Sequence, residues 1–168
     1  MDKLECVLQA RTLLNDLTPL KSDCGRVCGA ACCAPDEDGQ GGMLLFPGEE
    51  ALYETLPEGY EISDDDSILP GMKLLICNGR CDRDDRPLSC RIFPLTPVIT
   101  LRDGQEKLSV RMDPRAFSVC PLCEGGVRGM DQQFARAVLE CGKILAKNSE
   151  NRAYLRALGE YFERLRAW

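Results

Sequence analysis

The chain has no histidine, no long apolar run, no excess of positive charge and no even count of cysteines. Each absence excludes something. Without histidine there is no Cys2His2 or Cys3His zinc site, no His-bearing Rieske centre and no histidine general base. Any metal ligands must be thiolates, or carboxylates as a poorer choice for soft metals. No stretch reaches the length of apolar sequence that a membrane-spanning helix needs. The N-terminal "MDKLECVLQARTLLND" alternates charged and apolar residues and lacks the unbroken apolar region of a secretory signal. A cytoplasmic location is therefore expected, where thiols stay reduced. The net charge of −6 gives no electrostatic footprint for DNA or RNA. Neither a nucleic acid nor a membrane is an expected partner, and a protein partner is left open.

Against these absences stand eleven cysteines in 168 residues, several times the usual share. The remaining composition, 44% hydrophobic and 29% charged, is that of an ordinary soluble chain. It suffices for one domain that buries about 70% of its unfolded surface. An odd cysteine count leaves a full disulfide framework one partner short. Metal is the better reading of the thiols.

The apolar spacing predicts an amphipathic helix over 3–17, with Leu4, Val7, Leu8, Leu14 and Leu17 near one face and Asp2 and Glu5 as an N-terminal capping pair. Cys6 lies inside it and reads as a small buried hydrophobe. "APDEDGQGG" reads as a surface loop, Met43–Phe46 as a short strand, and Pro47 as the first turn of a short helix. "SDDDS" (Ser63–Ser67) reads as a solvated loop, since it lacks the alternating oxygen ligands of a calcium loop. Two hairpins are expected, one turning at Asn78-Gly79 after "MKLLIC" and one at Asp103-Gly104. Residues 130–147 and 150–167 read as two helices. Their apolar stripes are Phe134, Val138, Cys141 and Leu145, then Leu155, Leu158, Phe162 and Leu165. The sum is one α+β domain over 1–168, with a cysteine-rich core at 22–123 and a helical part from 130.

Setting aside Cys6 and Cys141 leaves nine thiols. Four fall within ten positions in "CGRVCGAACC": Cys24, Cys28, Cys32 and Cys33. Glycine after the first two permits the close backbone approach and positive φ that wrapping a metal demands. Adjacent side chains diverge, so Cys32 and Cys33 serve two centres, or one ligates and the other packs, unless the backbone turns sharply there. "CPLC", Cys120 to Cys123, is the spacing of a metal knuckle. In a two-residue Asn-Gly hairpin Cys77 and Cys81 point to opposite faces, which leaves Cys77 out. The eight others divide into two four-thiolate sites, suited to zinc or to iron–sulfur clusters.

"CGRVCGAACC", then "GRCDRDDRPLSCRIFP" (Gly79–Pro94), then "CPLC" resembles the cysteine-cluster proteins called the YkgJ-like or CxxCxxCC family, described as a zinc- or iron-chelating domain. The match runs as ordered motifs over about residues 22–123. Its most specific part is Arg86-Pro87-x-x-Cys90-Arg91-x-Phe93-Pro94, preceded by Cys81. The resemblance implies chelation by Cys24, Cys28, Cys32, Cys33, Cys81, Cys90, Cys120 and Cys123. The spacing here, three, three, then adjacent, departs from the family name. Arg86 and Arg91 either donate to thiolate sulfurs and offset the charge of a metal–thiolate site, the favoured role, or hold an anionic cofactor or substrate. The expected function is metal binding in one or two thiolate-rich centres. The alternative is an iron–sulfur electron carrier or oxidoreductase subunit. A radical S-adenosylmethionine enzyme is disfavoured by the second cysteine gap and the short chain. A hydrolytic zinc enzyme is disfavoured because a full thiolate shell has no open position.

Overall fold

The computed structural model describes residues 1–34, 37, 41–79 and 81–166, and its fold is α+β. Helix α1 (Lys3–Leu13) opens where expected: the Asp2 carboxylate caps it by accepting from the Leu4 N–H at 3.2 Å. Its buried face is Cys6, Val7, Ala10 and Leu14, while Leu8 is 45% exposed. The face follows the 6-7-10-14 row, and Leu8 lies on the other side of it.

Strands β4 (Leu95–Arg102) and β5 (Gln105–Met112) form the expected hairpin. Both turn residues, Asp103 and Gly104, are left-handed (φ 52° and 75°), the twist that suits a two-residue antiparallel turn. Helices α4 (Gln132–Leu145) and α5 (Ser149–Arg166) pack on it. Gly159 makes the close approach possible, because a Cβ there would stand 2.3 Å from the Ile99 carbonyl oxygen. The α4 stripe of Phe134, Val138, Cys141 and Leu145 is fully buried. On α5 Tyr154, Leu155, Leu158 and Phe162 are buried, but Leu165 is 40% exposed, being near the helix end. The Cys141 thiol donates to the Ala10 carbonyl at 3.3 Å, fastening α4 to α1. Cys6 and Cys141 are thus core residues, as the sequence indicated.

The second sheet is antiparallel, in the order β1 (Gly41–Leu44), β3 (Met72–Cys77), β2 (Glu61–Asp65). It overturns two expectations. Asn78-Gly79 does not turn a hairpin: β3 is followed by a helical turn, Arg83–Asp85. The reason is that β1 and β2 already occupy both edges of β3. The acidic run also begins inside a strand, since Ser63, Asp64 and Asp65 pair with Leu74, Lys73 and Met72. Lys73 forms an ion pair with Asp64 across the strands, which lets an acid sit in the ladder. The loop expected at "APDEDGQGG" falls largely outside the described residues.

The short helix α3 (Leu88–Ile92) carries Cys90 and Arg91. Its start is fixed by Glu49, whose side chain is wholly buried. Glu49 accepts from the Leu88 N–H at 2.6 Å, the Phe46 N–H at 3.2 Å and the Arg11 guanidinium at 3.1 Å. One carboxylate thereby joins α1, the chain leaving β1 and the start of α3. Glu49→Leu leaves two buried N–H groups and a half-buried cation without their acceptor, and is expected to cost about 3–5 kcal/mol. Glu49→Gln keeps an acceptor and costs less. Urea unfolding of both variants checks this; equal midpoints for Glu49→Leu and the parent chain would contradict it.

Candidate metal centre

The short helix α2 (Cys24–Cys28) is capped by the Asp23 carboxylate, which accepts from the Gly25 N–H at 3.0 Å. It ends at Gly29, and Gly29 and Ala30 are both left-handed (φ 64° and 56°). The chain therefore turns sharply before the helical turn Ala31–Cys33. Glycine meets the positive-φ expectation at Gly29; Gly25 lies within the helix. Cys120 precedes the helical turn Pro121–Gly125, which carries Cys123. Cys123 is buried against the main core.

A cavity of about 90 Å³ opens between these segments, and Cys24, Cys32, Cys33, Cys77, Cys81 and Cys90 line it with Tyr60, Arg86 and Phe93. Cys77, which the expected hairpin had turned away, is among them. It ends β3 opposite Gly41, and a Cβ on Gly41 would stand 3.5 Å from its sulfur. The signal was in the sequence: Cys77 and Cys81 repeat the four-residue step of Cys24 and Cys28. Tyr60 carried no such signal. It reaches the cavity because Glu61 pairs with Ile76, which brings Tyr60 level with the end of β3.

The thiols fall into two neighbourhoods. Burial raises Cys90 well above the ordinary thiol value, and next come the charges of Cys33, Cys81 and Cys77. Burial likewise raises Cys77, with Cys81 and Cys33 among its neighbours. Elsewhere burial raises Cys24, whose neighbours are Cys28, Asp23 and Cys120. Burial and Cys120 push Cys123 up to about 11. The Cys28 thiol donates to the Cys24 carbonyl at 3.5 Å. Cys32 stands between the sets: it donates to Cys33, which raises its own pKa and lowers that of Cys33, and its further neighbours are Cys24 and Cys28. Among the described residues no group of three or more cysteine, aspartate or glutamate side chains is arranged to hold one metal ion. The six thiols of the wall border a common space without meeting at a point.

The two arginines differ. Arg91, nine per cent exposed, donates through Nε to the Arg86 carbonyl at 3.1 Å and through its terminal nitrogens to the Asn15 amide oxygen at 3.1 Å and the Arg83 and Asp84 carbonyls at 3.0 and 3.1 Å. These contacts make it a brace for the 83–86 turn. Arg86 instead lies beside Cys81, Cys33 and Cys90, and its Nε is buried with no hydrogen-bond partner.

No family model matches the chain, and no curated protein or solved structure matches it either. The resemblance to the cysteine-cluster proteins rests on the motif residues alone.

Arg91→Met strips the donor from the Arg86 carbonyl, while that of Arg83 keeps the Arg86 N–H at 3.3 Å, and the orphaned carbonyl is expected to cost about 1–3 kcal/mol. Arg91→Lys is expected to recover only part of the loss, because one ammonium cannot reproduce the spread of a guanidinium. Thermal unfolding checks both, and an unchanged midpoint for Arg91→Met would contradict the bracing role.

Proposed function

We propose that the chain binds soft metal in two thiolate-rich centres. The inner one draws on Cys33, Cys77, Cys81 and Cys90, the outer one on Cys24, Cys28, Cys120 and Cys123. The observation that carries this reading is the cavity wall, where six cysteines, all four of the inner set among them, face one space; the outer set rests on the mutual neighbours Cys24, Cys28, Cys120 and Cys123. Gathering that many half-buried thiols around a void gains little as packing, whereas soft sulfur suits zinc or an iron–sulfur cluster. Cys77 takes the place expected for Cys32, and Cys32 stands between the two sets. The motif resemblance points to the same class of ligand.

A metal here serves the fold. Structural zinc contributes about 10–16 kcal/mol in peptide models, enough to fasten turns as short as Cys24–Cys28 and Pro121–Gly125. The cytoplasm, where thiols stay reduced, suits such a protein. A centre closed by four cysteine sulfurs offers no open position for catalysis.

The test is elemental and sulfide analysis of protein made and purified without oxygen. Up to two metals per chain are expected. Zinc without sulfide marks structural sites, and iron with acid-labile sulfide marks electron-carrying clusters. Cys90→Ser and Cys120→Ser are each expected to lose one equivalent, whereas Cys6→Ala and Cys141→Ala keep both. Reduced protein free of stoichiometric transition metal would end this reading.

A further inference from the structure

The Tyr60 hydroxyl and the Arg86 Nε are both buried without a well-formed hydrogen bond, and the Cys81 sulfur is the polar group within reach of each side chain. Both side chains line the cavity. Both have the Cys81 sulfur as a close neighbour. A buried donor without an acceptor costs free energy, and two such donors beside one sulfur call for that sulfur to carry negative charge.

The outer set has a different surrounding. The stronger of the two charged side chains beside Cys24 is Asp23, an anion, with Arg86 a weaker neighbour. The outer set reaches water at one end, where Val27, between Cys24 and Cys28, is 63% exposed, while Cys123 at its other end is buried. A cation and a hydroxyl both attend the inner Cys81 sulfur, with the Glu49 carboxylate a weaker neighbour of Cys90, whereas a carboxylate outweighs the cation beside Cys24.

We infer that Tyr60 and Arg86 donate hydrogen bonds to the metal-bound sulfur of Cys81, making the inner centre retentive and leaving the outer centre as the exchangeable one. This rests on the two-centre reading above. Donors to a ligating sulfur draw off its charge, orient it and make it slower to be protonated or alkylated. Partners of this outer kind are typically worth 10–100-fold in metal affinity. The protein then holds one metal for its fold and presents a second that a competing chelator or acceptor protein can remove. Tyr60 and Arg86 are positioning residues, acting through Cys81.

The experiment uses the full chain loaded with zinc. Excess EDTA is added, released zinc is followed with a chromophoric indicator, and thiols freed in each phase are trapped with N-ethylmaleimide and located by peptide mass mapping. Two phases are expected, the fast one labelling Cys24, Cys28, Cys120 and Cys123, the slow one Cys33, Cys77, Cys81 and Cys90. Tyr60→Phe is expected to speed the slow phase about tenfold while leaving the fast phase unchanged. Arg86→Gln is expected to do the same, with Arg86→Lys recovering part of the retention. The unchanged fast phase reports that the variants are folded. A single phase, a slow phase labelling the outer cysteines, or a slow phase indifferent to Tyr60→Phe would overturn the inference while leaving metal binding intact. A reduced chain that takes up no zinc would overturn metal binding itself, and this inference with it.

Discussion

The carbonyls of Arg83, Asp84, Asp85 and Arg86 all accept hydrogen bonds from side chains outside their own turn. Arg91 holds those of Arg83, Asp84 and Arg86, Arg11 a second bond to Asp84, and the Tyr53 hydroxyl that of Asp85 at 2.9 Å. Arg83 reaches back to the Leu14, Asn15 and Leu17 carbonyls, closing the end of α1. Buried Glu49 fixes the start of the next helix. A stretch with hardly any apolar residues is thus held rigid by charge-assisted hydrogen bonds. Cys81, Arg86 and Cys90 take their positions from it, and the other wall residues are arranged around them.

The molecule divides its work between two kinds of stabilisation. The α1, α4 and α5 helices and the β4–β5 hairpin form a continuous apolar core. The cysteine-bearing turns contribute little to that core apart from Cys123, with Cys120 and Leu122 packed against it. Their order comes from caps, from left-handed turns and from the arginine brace, with metal as the proposed addition. The framework and the cavity are for that reason separable. Loss of metal should loosen the turns while the helices and the hairpin stand.

Periodicity made the framework legible. Capping at Asp2, the Asp103-Gly104 turn and the buried stripe of α4 are local signals that tertiary packing reinforces. Two errors came from the same limit. Asn78-Gly79 has hairpin chemistry, but whether a strand can pair there depends on which edges of β3 are free, and β1 and β2 come from far earlier in the chain. The acidic run was misread because its compensating Lys73 arrives through strand pairing. At the candidate site, the cysteine spacings singled out the thiols near the cavity but not their grouping. Cys77 went astray with the hairpin, and Tyr60 is brought in only by the β2–β3 register. Arg91 turned out to be committed to backbone carbonyls, a role no local spacing reveals.

Cobalt(II) titration of the reduced, metal-free chain under argon tests the two-centre account most directly, because sulfur-to-cobalt charge transfer reports thiolate ligands and the visible bands report geometry. The expected result is saturation at two cobalt ions per chain, each with the intense absorption of tetrahedral four-thiolate coordination. Cys33→Ser and Cys77→Ser should weaken the inner step and leave the outer one intact. Absorption typical of oxygen-bound cobalt, or full binding retained in a chain lacking Cys77, Cys81 and Cys90, would contradict it.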